Sequence, residues 1–181
     1  MTQAQLLRRW TDALRFALVA TACGLLIGGR PNAAIALGLI SATAIVLRPA
    51  RPSAVVESSF VTLLAIDAWL TCSGLMAQIA REDFAGHLIL AIAVTPVLAA
   101  GIVQAAPWPP HSIRRVAGLA GLATIALAVG WEVVESGSDS LLGTNMSLSA
   151  ADTRGDLVSG LIGAAAGAVL TAHALSRDMA H

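Results

Sequence analysis

The chain contains six apolar runs that are long enough, or nearly so, to cross a membrane as helices. About 20 apolar residues in helical conformation span the roughly 30 Å of hydrocarbon in a bilayer. We number these runs spans one to six, and they cover roughly residues 11–29, 32–48, 54–80, 86–106, 114–135 and 156–175. The sequence therefore predicts an all-α, polytopic transmembrane helical bundle that forms one domain over residues 1–181.

The composition indicates the same class of protein. Hydrophobic residues make up 56% of the chain and charged residues 12%, whereas roughly a quarter of the residues in soluble proteins are charged. So few charges cannot cover the surface of a soluble domain of this length. The net charge of zero argues against nucleic acid as a partner, and membrane lipids are the expected surroundings.

The arginines predict the orientation of the chain, because short cytoplasmic loops hold the excess of positive charge. With the N-terminus inside, eight arginines fall on the cytoplasmic side and three on the outer side. The inner group is Arg8, Arg9, Arg15, Arg48, Arg51, Arg114, Arg115 and Arg177, and the outer group is Arg30, Arg81 and Arg154. Both termini are then cytoplasmic, and the chain is predicted to lie in a bacterial cytoplasmic (inner) membrane.

Acidic residues collect around the connection between spans five and six. Span five ends outside with Glu132 and Glu135, and span six begins outside with Asp152 and Asp156. Spacings of three and four residues allow each pair to share one helix face. A carboxylate at the border of the hydrocarbon is costly, and it usually has a partner or a task.

Two further spans contribute candidate residues. Span four begins at the same outer level with Asp83 and His87, so an imidazole could join the carboxylates there. Asp67 lies near the middle of span three, where an ionised group costs roughly 2.5 to 3.5 kcal/mol. It either pairs within the bundle or relays a proton or cation inward.

Small residues predict how the last spans pack. Asp156, Gly160, Gly163 and Gly167 follow one helical stripe, and span five offers a matching stripe at Gly118, Gly121, Ile125 and Ala128. Small residues let membrane helices approach closely. We expect spans five and six to pack against each other beneath the acids, and the same faces could form a homo-oligomer.

Structural interpretations stand beside the functional ones. Asp152 fits the N-cap of span six, and Glu135 and Asp139 can be solvated charges at a loop end. The loop over residues 136–151 could fold over the site as a lid. Its Leu and Met side chains could equally dip into the lipid headgroups.

Four motifs carry a family resemblance. They are Asp83-Phe84-Ala85-Gly86-His87, Trp131-Glu132-Val133-Val134-Glu135, Leu142-Gly143-Thr144 and Asp152-Thr153-Arg154-Gly155-Asp156. This set resembles the YjdF-type family of uncharacterised bacterial inner-membrane proteins over roughly residues 83–170. The chain departs from that pattern at Ala91, where the family tends to have Gly, and at Gly155, where it has an aromatic residue. The layout is more distantly similar to VanZ-like proteins. The resemblance implies an inner-membrane protein and supplies no reaction.

The first functional hypothesis is an enzyme that uses a divalent metal ion and acts on a lipid or lipid-linked substrate. Imidazole and carboxylate groups are suitable ligands for such an ion. The predicted metal ligands are His87, Glu132, Asp152 and Asp156, and the predicted catalytic residues are Glu132, Glu135 and Asp156, with Glu135 as a candidate general base.

Two other classes of function stay open at this point. In a carrier, the outer acids collect a cation or proton and Asp67 passes it inward. In a structural or accessory protein, the acids brace spans four to six through hydrogen bonds and no chemistry is needed.

Overall fold

The computed structural model describes residues 1–50, 52–73, 82–105, 109, 112–143 and 150–178. Over these ranges the chain forms six α-helices and a short 3₁₀ turn, Arg48–Ala50, and contains no strand. The helices are α1 (Gln3–Ile27), α2 (Pro31–Val46), α3 (Ala54–Ser73), α4 (Glu82–Ala105), α5 (Ile113–Leu142) and α6 (Ala150–Asp178). The prediction of an all-helical protein is confirmed.

Five of the described helical segments are long and apolar enough to cross a membrane. They are Gln3–Ile27, Pro31–Ala50, Phe84–Ala105, Ile113–Leu142 and Ala150–Arg177. The chain is therefore a multi-pass membrane protein. Helix α3 is not among the five, and residues 74–80 of predicted span three lie outside the described part of the chain. The total of six spans stays a prediction.

Local sequence explains how the first two helices begin and turn. Helix α1 starts at Gln3 rather than near residue 11, because Thr2 and Gln5 form a capping box in which each side chain accepts the other's backbone N–H. Gly29 has a φ of 73°, a left-handed conformation that glycine adopts without steric cost. Pro31 then occupies the first position of α2, where its missing N–H has no helical partner to lose.

The helices form two groups of three that meet where α3 packs on α4. Helices α1 to α3 contact one another, helices α4 to α6 contact one another, and α3 packs on α4. The main apolar core includes Leu37, Ile40, Phe60, Val61 and Val97. A smaller core of Ala99, Val116 and Ala120 lies between α4 and α5.

Helix α6 packs against two neighbours through its small residues. A Cβ added to Gly163 would lie 2.5 Å from the Leu88 carbonyl oxygen of α4, and one added to Gly167 would lie 2.6 Å from Thr95 Oγ1 of the same helix. Only Gly160 of the predicted stripe faces α5, where an added Cβ would lie 2.9 Å from Ala128 Cβ. The expectation that spans five and six pack against each other is confirmed at Gly160, whereas Gly163 and Gly167 face α4, because α6 contacts both neighbouring helices.

Helix α5 uses less of its predicted stripe than expected. Gly121 lies against Ala164 and Ala168 of α6, whereas a Cβ at Gly118 would meet nothing within 4 Å. The contact between α5 and α6 therefore includes Gly121 and Ala128. A homo-oligomer through these faces stays a prediction.

Candidate metal centre

Three side chains from three helices converge near one end of the bundle. His87 of α4, Glu132 of α5 and Asp156 of α6 each place one possible ligand atom within 4.8 Å of the other two. Glu132 is 8% exposed and Asp156 is 4% exposed, while His87 is half-buried. Three ligands of one zinc ion lie about 3.4 Å apart in tetrahedral geometry. Side-chain movements on the order of 1 Å could therefore close these three groups on an ion.

The close contact between α5 and α6 sets the level of the two acids. These helices run antiparallel, and Gly160 of α6 meets Ala128 of α5. Glu132 follows Ala128 by one turn, and Asp156 precedes Gly160 by one turn. Because the helices run in opposite directions, both carboxylates lie one turn beyond the same contact. The register of this contact places them side by side.

The contact between α4 and α6 places the histidine. Gly163 and Gly167 lie against Leu88, Ala91 and Thr95 in matching order, so the two helices run parallel. This register puts His87 about level with Gly160, one turn below Asp156. Side chains on a helix lean toward its N-terminus, which on α4 is the direction of Asp156. The imidazole thus reaches back toward the carboxylates.

Glu135 lies beside this cluster rather than in it. Its Oε1 atom accepts a hydrogen bond of 2.6 Å from Trp131 Nε1, one turn earlier on α5. The indole thereby sets the orientation of this half-buried carboxylate. The arrangement keeps a second acid one turn from Glu132 on the side where α5 ends.

Asp152 is also outside the group of three. Helix α6 begins at Ala150, so Asp152 lies in its first turn. The N-cap interpretation of Asp152 is therefore wrong, because the helix starts before this residue. A carboxylate in a first turn still interacts favourably with the helix dipole, and Asp152 lies one turn above Asp156.

The other predicted site residues are spread more widely. Asp67 is half-buried on α3 and does not belong to the group of three. The side chain of Asp83 lies outside the described residues, although its backbone is in the first turn of α4.

The predicted loop after span five is in part a helix. Helix α5 continues through Ser136 and Asp139 to Leu142, and Gly143 ends it with a left-handed φ of 65°. Residues 144–149, which include Met146 and Leu148 of the proposed lid, lie outside the described residues. The assignment of residues 136–142 to a loop is wrong, because polar residues can continue a helix beyond the hydrocarbon.

A buried pair of hydroxyl groups lies beneath the three site residues. The Oγ1 atoms of Thr95 on α4 and Thr124 on α5 are 2.9 Å apart. Each hydroxyl also lies within hydrogen-bond distance of a carbonyl one turn back in its own helix, at Ala91 and Ala120. At 1.5 Å per residue, the pair lies about 12 Å deeper than His87 along α4. It links α4 and α5 within the membrane without charge.

The sequence reasoning missed a second ionic group, which we call the arginine cluster: Arg8, Asp12, Arg15, Arg48 and Glu57. Arg15 and Glu57 are buried, and the other three are exposed or partly exposed. Arg15 Nη2 lies 2.8 Å from Glu57 Oε1, and Arg8 Nη1 lies 3.0 Å from Glu57 Oε2. Arg15 Nε also donates to the Ala44 carbonyl at 3.0 Å. The sequence signal that could have indicated this cluster is the presence of charged residues inside predicted spans one and three.

Asp12 connects the rest of the arginine cluster. Its carboxylate lies 3.3 Å from Arg15 Nη1 and 3.2 Å from Arg48 Nη2. The cluster therefore joins α1, α2, α3 and the 3₁₀ turn. Helix α4 leads from His87 to Gln104, whose amide donates to the Ala50 carbonyl of that turn. The arginine cluster and the three site residues thus lie at opposite ends of α4.

Comparison with known proteins places the chain in one family. A family model described as a predicted membrane protein, DUF2238, matches residues 13–177. No curated protein matches the chain, and no solved structure does. The match extends over parts of all six helices and describes a membrane protein without assigning it a reaction.

Proposed function

We propose, from the premise that the chain belongs to the DUF2238 family of predicted membrane proteins, that His87, Glu132 and Asp156 hold a divalent metal ion for a hydrolytic reaction. The observation that carries this proposal is the convergence of their ligand atoms within 4.8 Å. We also infer that the family relationship is of the YjdF type, because the motifs at residues 83–87, 131–135 and 152–156 include all three ligands.

The donor set limits the kind of ion. One imidazole and two carboxylates suit zinc, manganese or iron more than calcium, which prefers oxygen ligands alone. Three protein ligands leave at least one coordination position for water or substrate, as in catalytic zinc sites. When bound, such an ion supplies a Lewis acid and lowers the pKa of coordinated water.

The surroundings favour a substrate that reaches the site from the membrane. Glu132 is followed by Val133 and Val134, which are exposed and apolar, whereas the carboxylate itself is buried. The headgroups of lipids lie at the membrane surface, and His87, Glu132 and Asp156 lie near the predicted outer ends of spans four, five and six. Glu135, oriented by Trp131, is the candidate general base.

We place this site on the extracytoplasmic side of a bacterial inner membrane. The support is the arginine distribution, which puts both termini in the cytoplasm. A periplasmic reporter fused after Gly143, where α5 ends, is expected to be active. A reporter that is active only when fused to the C-terminus would reverse the orientation.

An activity assay tests the reaction. Protein reconstituted in nanodiscs and loaded with zinc or manganese is offered lipid phosphomonoesters, phosphodiesters and carboxylic esters. We expect metal-dependent hydrolysis that falls more than about 100-fold in Glu132→Gln, which exceeds the usual cost of changing a residue outside the ligand set. Asp139→Asn, a change of the same kind on the same helix, should retain activity. A rate of hydrolysis that changes neither on removal of the metal nor in Glu132→Gln would exclude the proposed site.

A structural role is the second candidate, and the burial of Glu132 and Asp156 between neighbouring helices favours it. In that case Glu132→Gln and Glu135→Gln change stability equally with and without metal.

The carrier alternative rests on Asp67 alone. If proton or cation flux into proteoliposomes is unchanged in Asp67→Asn, the carrier alternative is excluded.

A further inference from the structure

The arginine cluster borders a pocket of about 610 Å³ at the end of the bundle opposite the proposed metal site. Its walls are formed by Arg8, Asp12, Arg48, Pro49, Glu57 and Gln104. The volume lies within the range of small-molecule sites, about 300 to 1,000 Å³. From His87 to Gln104 the distance along α4 is about 25 Å, so the pocket lies near the other membrane surface.

The charges around the pocket are not balanced. Glu57 is neutralised on one side by Arg15 and on the other by Arg8, and Asp12 is shared between Arg15 and Arg48. Among the described residues of the cluster, three guanidinium groups and two carboxylates leave one positive charge. Arg15 is buried at 7% exposure, so the excess is available on Arg8 and Arg48, whose side chains are 50% and 61% exposed.

Both exposed arginines retain donors that can face a ligand. Among the described residues, Arg48 contacts Asp12 through Nη2 alone. Arg8 donates a hydrogen bond from Nη1 to Glu57 and a long one, of 3.4 Å, from Nη2 to the Pro52 carbonyl. A guanidinium group has five N–H donors in a planar fork that matches phosphate oxygens. The buried Arg15–Glu57 pair holds α1 and α3 so that these forks border one space.

We propose that this pocket binds the phosphodiester group of an anionic phospholipid through Arg8 and Arg48. A phosphodiester carries one negative charge, which matches the excess of one positive charge, whereas a phosphate monoester carries about 1.5 to 2. The position at a membrane surface supplies lipid headgroups. Trp10, half-exposed on α1 beside Arg8, is a residue type enriched at this depth.

Native mass spectrometry of the detergent-solubilised full chain tests the proposal with short-chain phosphatidylglycerol and phosphatidylcholine. Both lipids contain a phosphodiester, but the choline group of phosphatidylcholine would bring a positive charge beside Arg8 and Arg48, which repel it. Only phosphatidylglycerol has a net negative charge. We expect the wild-type protein to bind phosphatidylglycerol at least about tenfold more tightly, by about 1.4 kcal/mol. Arg48→Gln should remove most of this preference, and Arg8→Gln should do the same. Equal binding of the two lipids by the wild-type protein would overturn the proposal.

Arg177→Gln is the matched control, because Arg177 is exposed in the last turn of α6 at the same end of the bundle and does not line the pocket. It should change phosphatidylglycerol affinity less than twofold. An equal loss in Arg177→Gln and Arg48→Gln would show that diffuse charge attracts the lipid, and would contradict a site. A parallel thermal-shift titration with inorganic phosphate at constant ionic strength identifies the source. Stabilisation by phosphate through Arg48, without preference for phosphatidylglycerol, would replace the lipid with a soluble anion.

Discussion

The arginine cluster and the proposed metal centre bury charge in two different ways. In the arginine cluster, both carboxylate oxygens of Glu57 contact guanidinium groups at 2.8 and 3.0 Å. At the other end of α4, two carboxylates and one imidazole place ligand atoms within 4.8 Å of one another. The first group contains its own counterions. The second has the composition of a cation site.

This difference predicts a structural role for the arginine cluster and a chemical role for the proposed metal centre. The Arg15–Glu57 pair joins residues far apart in sequence and fixes α1 against α3, so its main effect should be on folding. Two carboxylates this close to each other favour a shared proton or cation, since like charges at such a distance destabilise each other. The effect of changing them should therefore depend on what ion is present.

The largest expected effect is the loss of the buried ion pair. Glu57→Gln leaves the guanidinium of Arg15 buried without its full counterion, which typically costs about 3 to 5 kcal/mol of unfolding free energy. Reversible unfolding in mixed micelles measures it. Asp12→Asn, at a side chain that is 49% exposed, should cost less than about 1 kcal/mol.

A double variant sharpens this prediction. Arg15→Met combined with Glu57→Leu replaces both charges with apolar groups and should recover most of the lost stability, because buried ion pairs often exchange for apolar pairs at little cost. A double variant as unstable as Glu57→Gln would show that the charges themselves specify the packing of α1 on α3.

The next effect is the stabilisation of the protein by metal. A ligand at 100 times its dissociation constant stabilises the folded state by about 2.7 kcal/mol. Asp156→Asn should abolish the increase in unfolding free energy that zinc or manganese gives to metal-free protein, and Asp139→Asn should preserve it. The same increase in both variants would place the ion elsewhere.

A smaller effect is expected where α6 meets α4. Gly163→Ala brings a Cβ to 2.5 Å from the Leu88 carbonyl oxygen and 2.7 Å from Ala91 Cβ, and overpacking of this kind costs about 1 to 3 kcal/mol. Gly118→Ala, at a position with open space, should be neutral or stabilise the helix by up to about 1 kcal/mol. Equal effects in the unfolding assay would refute the close contact.

The smallest effect concerns the threonine pair beneath the proposed metal centre. Thr124→Val removes the link between Thr124 and Thr95 and should cost about 1 kcal/mol, the usual net value of a hydrogen bond. The control is Thr21→Val, because the exposed Thr21 bonds only to a carbonyl of its own helix. A loss no larger than the control would show that the pair does not stabilise the contact between α4 and α5.

Hydropathy and helical spacing predicted much of this architecture. They predicted the helical class and one membrane level for His87, Glu132 and Asp156, which the structure brings together. They could not predict that Gly163 faces α4, because periodicity defines a face of a helix but not the neighbour that covers it. The extension of α5 to Leu142 was not predicted, because hydropathy identifies only the part of a helix that lies in the hydrocarbon, and a helix can continue beyond the membrane.

The buried pair of Arg15 and Glu57 shows the other limit of sequence reasoning. Arg15 lies in one apolar run and Glu57 near the start of another, and 42 positions separate them. Their contact depends on how α1 packs on α3, which no local pattern specifies. A charged residue within a span predicts that a partner exists, but it does not identify that partner.

The metal content of the purified protein tests the central claim most directly. Protein purified without chelator, and then saturated with zinc or manganese and desalted, is analysed by elemental mass spectrometry beside the His87→Ala and Asp139→Asn variants. We predict about one divalent ion per chain in the wild-type protein and in Asp139→Asn, and a small fraction of that in His87→Ala, because three convergent ligands are reduced to two. No bound ion in the wild-type protein, or the same content in His87→Ala, would contradict the account.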